Sequence, residues 1–241
     1  MIDAPPNVEV VRELANLGFS AFTTTRQFGS LGTATDQPVH DVMARWQLLV
    51  SFLRNAGIPR LATASQVHGA RVLTHKAGWE GWLRAPEADG HVCAADVPTA
   101  AAVTVADCVP VFLAHPAGSG ALLHSGWRGT EARMVEGGID ALAAVGCRAS
   151  ELTMHLGPAI CGKCYEVSPD VYGRLTGRRV DASTCVDLRG IIAEHAAAHG
   201  VRTISMSPWC TRCDNARFYS HRAGDTGRQV SVIARIAPPS A

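Results

Sequence analysis

With 241 residues, 47% of them hydrophobic, the chain is long enough to bury a full core, and one domain spanning residues 1–241 is expected. Lys+Arg 22 nearly balance Asp+Glu 21 and no basic run occurs, which excludes an electrostatic footprint for nucleic acid and leaves a small, locally steered ligand. No apolar run is long enough to span a bilayer, and MIDAPPNVEV has an acid and two prolines where a secretion signal needs a basic start and an apolar core, so a cytoplasmic location is expected.

In chain order, Leu17 to Thr25 has strand composition and delivers Arg26 to a strand end, followed by a loop through Gly29 and Gly32. Asp36 can cap a helix in which Val39, Val42, Trp46, Leu49 and Leu53 keep one apolar face and which Asn55-Ala56-Gly57 closes. Leu61 to Ser65 and Arg71 to Thr74 read as strands on either side of Gln66-Val67-His68-Gly69, where the glycine permits close backbone approach. The segment through Trp79, Trp82 and Pro86 reads as a loop ending in the acidic residues Glu87 and Asp89.

Residues 98–116 read as a buried strand interrupted at Ala106-Asp107-Cys108. An aspartate between two apolar runs must be hydrogen-bonded to be tolerated, so a polar site is expected at the break. Ala121-Leu122-Leu123 ends another buried strand at His124, Ser125-Gly126 turn the chain, and Trp127, Arg128 and Gly129 occupy the turn. Beyond Thr130, the spacing of Val135, Ile139 and Leu142 predicts a helix that Gly146 stops. Its amino end and the Arg128 guanidinium would favour an anion beside the His124 imidazole.

Further on, His155 to Ala159 follow a strand, Ser168-Pro169-Asp170 has the form of a helix start, and Asp187 opens a helix through Ile191, Ile192, His195 and His199 to Gly200. His195 and His199, four apart, could share a metal, but no third ligand is near them in sequence. Val201 to Met206 is a strand; Arg222 and Arg228 then flank a glycine-containing turn before a closing strand. Eight cysteines without a secretion signal read as thiols or metal ligands rather than a disulfide framework.

QVHG, ADCVPV and HSGWRG thus each set one ligand type, His68, Cys108 or His124, at a strand edge beside glycine or proline. Three mixed nitrogen and sulfur ligands with a fourth position open is the pattern of catalytic zinc. The pairs Cys161/Cys164 and Cys210/Cys213 read on their own as a four-cysteine zinc site or as partners in a disulfide.

The motifs GFSAFTTTR, SQVHGARV, EADGHV, TVADCVPVFLAHP, ALLHSGWRGT, LGPAICGKCYEVSPDV and FYSHRAGDTGRQ, in this order, resemble a known family. It is the laccase-domain proteins first labelled multicopper polyphenol oxidases, which include the peptidoglycan editing factor and zinc-dependent purine nucleoside phosphorylases. The resemblance implies a single-domain α+β fold, a four-layer α/β/β/α sandwich with mixed sheets. It implies one catalytic Zn2+ on His68, Cys108 and His124, and a pocket lined by Arg26, Gln66, Arg128 and Arg222. It further implies phosphorolysis of adenosine, inosine, guanosine and methylthioadenosine with inorganic phosphate as co-substrate, and adenosine deamination as a second activity. This chain departs from the family in a shorter RQFGSLGTATDQP loop without the usual Asn, and in Ser125 where Ala is usual. Cys164 and Cys210 match family positions, whereas Cys161 and Cys213 are additions.

Two other functions use the same residues. Cys108 with a histidine base would make a cysteine hydrolase editing cell-wall precursors. Histidine and cysteine also suit copper, but the sequence has no His-x-His pair of the kind a multicopper cluster requires. A binding module built on a four-cysteine zinc is the non-enzymatic alternative, and it gives His68, His124 and Arg128 no purpose.

Overall fold

Two six-stranded sheets, each of mixed direction, form the centre of the computed structural model, which describes residues 4–34 and 36–236. The first elements are β1 (Val8–Val10), β2 (Phe19–Thr24) and α1 (Val39–Asn55). Then come β3 (Arg60–Ala64), β4 (Val72–His75), β5 (Gly81–Ala85), β6 (Gly90–Cys93), β7 (Thr99–Val105), β8 (Val109–Ala114) and β9 (Gly120–Ser125). Two short helices, α2 (Trp127–Glu131) and α3 (Met134–Ala143), lead to β10 (Thr153–Leu156) and to the small strand β11 (Glu166–Val167). The remainder is α4 (Pro169–Thr176), β12 (Thr184–Cys185), α5 (Leu188–Ala198), β13 (Thr203–Met206) and β14 (Gln229–Arg235).

The first sheet has the order β1-β2-β14-β7-β3-β5 and the second β13-β10-β8-β9-β6-β4. From β3 to β8 the chain therefore alternates between sheets: β3, β5 and β7 lie in the first, β4, β6 and β8 in the second. Neighbouring residues on a strand face opposite ways, and three separate cores record that period of two. Phe22, Ala100, Ala102 and Val232 pack with Trp46, Leu49 and Leu53 of α1. Their strand neighbours Ala21, Ala101, Val103 and Ile233 pack with Phe112 and Leu122 between the sheets. Val111, Leu113 and Leu123 then meet Ile139, Leu142 and Ile192 of the helices on the far side. Helix, sheet, sheet and helices make the expected four-layer α+β sandwich. Burying a side chain such as Phe22 or Phe112 contributes about 1.5–3 kcal/mol.

Local differences from the sequence reading have physical causes. Residues 98–116 are not one interrupted strand: β7 and β8 belong to different sheets, and the Asp107-Cys108 break is the crossover. The expected loop around Trp82 contains β5, an edge strand running parallel to β3. Asp36 does not cap α1; its carboxylate accepts from Thr226 Oγ1 at 2.8 Å, and Pro38 stands at the cap. The helix after His124 begins at Trp127 and breaks at Arg133, whose φ of 60° is left-handed. Restarted there, α3 lies flush on the sheet, because a Cβ on Gly138 would come within 2.5 Å of Leu123. The Ser168 and Asp187 caps are as expected, accepting from Val171 N at 3.4 Å and Arg189 N at 3.1 Å.

Candidate metal centre and its cavity

Three sheet-to-sheet crossovers, β3 to β4, β5 to β6 and β7 to β8, meet the end of β9 at one place, and Asp89, in the second of them, ties the first to the end of β9. Its carboxylate is fully buried and accepts the backbone N–H groups of Val67 at 3.2 Å, His68 at 3.0 Å and Gly69 at 2.8 Å. Oδ1 also accepts from His124 Nδ1 at 2.8 Å, while the Asp89 carbonyl accepts from His124 N at 2.7 Å. Burial alone would raise the Asp89 pKa, but the His124 hydrogen bond and the Gly69 and Val67 amides outweigh it and hold the pKa below the ordinary value. Sequence reasoning saw Asp89 only as a loop acid; the signal was a single aspartate set directly before Gly90 and a buried strand.

The crossovers bring His68, Cys108 and His124 together, with their ligand atoms within 4.8 Å of one another. Burial is graded from exposed His68 through half-buried Cys108 to buried His124, so one side of the group is open. The two imidazole rings stand edge to face, 4.9 Å between centroids at 77°. Gly126 makes room: a Cβ there would lie 2.9 Å from Cys108 Sγ and 3.5 Å from the His68 ring. His68 has a φ of 59° and Asp107 a φ of 83°, conformations that non-glycine residues adopt at a cost of about 1–3 kcal/mol. Asp107 is held there by accepting Thr211 Oγ1 and Arg222 N, each at 2.6 Å, so the polar residue at the β7 to β8 break is fully paired.

Because the Asp89 carboxylate only accepts, His124 must donate from Nδ1, which leaves Nε2 available. Burial pushes the Cys108 thiol up, but the charge of His124 and hydrogen bonds from His124 and His68 prevail and bring it down to about 6. Burial likewise lowers His124, yet Cys108 and Asp89 raise it to about 9. The two shifts run in opposite directions and favour a thiolate beside an imidazolium, a donor set suited to a cation that displaces the proton.

The trio stands at a cavity of about 760 Å³ whose apolar wall includes Trp46 and Trp82, stacked 4.7 Å apart. Gln66 lines it, with its amide locked on Thr104: Oε1 accepts from N and Oγ1, each at 2.7 Å, and Nε2 donates to the carbonyl at 2.8 Å. Arg84, His221 and Arg228 also line it; His221 and Arg228 fall in the FYSHRAGDTGRQ motif, whereas nothing in its spacing marked Arg84. Arg26, Arg128 and Arg222 are not among its lining residues. Arg26 donates to Asp225 Oδ2 at 2.7 Å and to the Asn215 carbonyl at 2.8 Å, with its guanidinium 4.4 Å from the Tyr219 ring centre. Arg128 stacks on Trp127 at 4.4 Å and Arg222 on Tyr165 at 5.0 Å. Both guanidiniums act on the Tyr165 phenol together with Cys108; burial and the Cys108 charge dominate and push that phenol up to about 12.

A groove of similar size, about 780 Å³ between α4 and α5, contains none of the three ligand residues. His195 lines that groove and His199 donates to Asp140 Oδ1 at 2.8 Å, so the two helical histidines do not form a metal group. Among the described residues the other clustered ligand set is Cys161, Cys164, Cys210 and Cys213. No helix of the described residues is long and apolar enough to cross a membrane.

Residues 18–236 match the family described as Multi-copper polyphenol oxidoreductase laccase. The purine nucleoside phosphorylase ORF3 of Streptomyces griseus is 37% identical over 177 residues, covering 70% of this chain and 72% of its own. A purine nucleoside phosphorylase of Deinococcus radiodurans is 31% identical over 209 residues, covering 82% of this chain and 77% of its own. The crystal structure of the hypothetical protein YfiH from Bacillus licheniformis shares the fold with a TM-score of 0.81 over 97% of this chain and 98% of its own, at 22% identity. With the family match over residues 18–236 running through β2 to β14 and every crossover of the centre, the chain belongs to the multi-copper polyphenol oxidoreductase laccase family.

Proposed function

We propose that the protein is a zinc-dependent purine nucleoside phosphorylase. It cleaves adenosine, inosine, guanosine or methylthioadenosine with phosphate to the free base and a ribose 1-phosphate, and deaminates adenosine as a second activity. The observation that carries this reading is the convergence of His68, Cys108 and His124 at the cavity, with His68 exposed. Relatives named purine nucleoside phosphorylase supply the reaction class.

The donor set fits zinc on its chemistry: two imidazoles, one thiolate, a carboxylate orienting His124, and one open side. When bound, the ion supplies Lewis acidity toward negative charge developing on the departing base. The stacked Trp46 and Trp82 give the cavity an aromatic wall suited to a purine, held in place because Trp46 Nε1 donates to the Leu31 carbonyl and Trp82 Nε1 to Thr63 Oγ1, each at 2.9 Å. Arg128, stacked on Trp127, and Arg222, stacked on Tyr165, are the guanidiniums that give phosphate its charge-assisted donors in this reading. The Tyr165 phenol, protonated at neutral pH like any tyrosine and pushed further from ionising by burial and Cys108, is a donor there.

The test is adenosine turnover with and without inorganic phosphate. Adenine and ribose 1-phosphate form only with phosphate present, whereas inosine from deamination forms regardless. Adenine release at equal rate in phosphate-free buffer would mean hydrolysis and overturn the assignment. A second reading, a cysteine hydrolase acting on cell-wall precursors, draws on the Cys108 and His124 pair, which has the form of an activated nucleophile. Activity of metal-free protein on such peptides, with no nucleoside turnover, would favour it.

A further inference from the structure

The two C-x-x-C pairs play no part in the cavity, yet the fold brings them together. Parallel pairing of β10 with β13 sends two loops off the same end of the second sheet, and a bridge from Ala159 to Cys210 keeps them side by side. Thr211 N donates to the Ala159 carbonyl at 3.2 Å and Arg212 Nη1 to the Cys164 carbonyl at 3.1 Å, so each loop is fastened to the other. The four sulfurs lie within 4.8 Å of one another, with Cys164 and Cys213 3.4 Å apart, and all four are free thiols.

Backbone amides converge on the first cysteine of each pair. Cys210 Sγ accepts from Cys161 N at 3.2 Å and from Cys213 N at 3.4 Å. The amides of Lys163 and Cys164 likewise face the Cys161 sulfur. Amides aimed at sulfur stabilise thiolate, and several thiolates this close repel one another unless a cation lies between them. Four ligands drawn from two tight turns leave no open position, which is the form of a structural site.

We propose that Cys161, Cys164, Cys210 and Cys213 hold a second zinc ion as a closed tetrathiolate, separate from the His68, Cys108 and His124 group. This ion clasps the loop that ends in Tyr165 to the loop that carries Thr211. Thr211 in turn donates to Asp107, the residue before Cys108, so the clasp steadies the cavity wall without touching substrate. The inference does not depend on the phosphorylase reading.

The test uses the full chain purified anaerobically with zinc, and a Cys161→Ser/Cys213→Ser variant. Zinc per chain should fall by about one equivalent in the variant, with a lower melting temperature and an unchanged occupancy of the pocket ligands. In Cys108→Ala/His124→Ala protein, the remaining zinc should show an X-ray absorption shell of four sulfurs at about 2.3 Å. If the serine variant does not fold, that second measurement decides alone. A native Cys164–Cys213 disulfide, iron in place of zinc, or a shell containing nitrogen would each overturn the proposal.

Discussion

Asp89 Oδ1 accepts the Nδ1 proton of His124 at 2.8 Å from a carboxylate that no solvent reaches, and the same carboxylate gathers three amides of the His68 loop. One side chain thus orients two ligands that approach from different sheets. Asp89→Asn preserves the shape but replaces one accepting oxygen with a donor, which faces either an amide or the imidazole. Affinity for the pocket metal should drop about 10–100-fold, measured by chelator competition, with the far-ultraviolet circular dichroism retained. Unaltered affinity would show that the carboxylate does not support the ligands.

Gly126→Ala tests the packing of the centre. The backbone there has a φ of −85°, open to any residue, so only the added methyl group acts, 2.9 Å from Cys108 Sγ. We expect metal content and turnover to fall together, as they should also in Cys108→Ala and His124→Ala, while the melting temperature changes little because the open pocket site contributes less to folding than a closed one. Full metal content in Gly126→Ala would separate this turn from the ligands.

In metal-stripped protein, Cys108 should behave as a thiolate well below the pH at which an ordinary thiol ionises. Its pKa is depressed to about 6, so the anion is present above that value and is lost as pH falls through it. Alkylation of Cys108, followed by peptide mass spectrometry, should be nearly flat from about pH 7 to pH 9, where an unperturbed thiol still gains reactivity up to its pKa of about 8.5. Added zinc should protect the residue. Reactivity that climbs through pH 8.5 would show that His124 does not hold the charge.

Arg128→Lys should raise the phosphate KM more than the nucleoside KM. A forked donor becomes a point charge, and loss of one charge-assisted contact corresponds to about 1.5–3 kcal/mol, or roughly 10–150-fold. Equal shifts in both constants would remove Arg128 from the phosphate seat and leave Arg222 as the remaining candidate there.

The apolar periods made most elements legible: α1 from Val42, Trp46, Leu49 and Leu53, and α5 from its Asp187 cap. They did not reveal which sheet a strand joins. A run such as AAAVTV is buried on both faces in either sheet, so the Asp107-Cys108 break looked like a fault in one strand when it is a crossing between two. His68, Cys108 and His124, which the fold clusters, stood out as candidates because each is set at a strand end beside glycine or proline. Asp89 showed only as an acid set before Gly90 and a buried strand, since its partners, three backbone amides and the distant His124, leave no mark in the local sequence. Arg133 was equally hidden, because a left-handed arginine leaves the helical spacing after it intact.

The alternation of strands between the sheets also orders events in time. Each ligand-bearing crossover is in place only when the strands before and after it have found partners in opposite sheets, and such long-range pairings form slowly. The pocket donors are therefore expected to assemble late, as a product of folding rather than its template. An ion caught earlier by loose histidines and cysteines would fasten segments that still have to pass one another, so the cavity is best filled after the two sheets have docked.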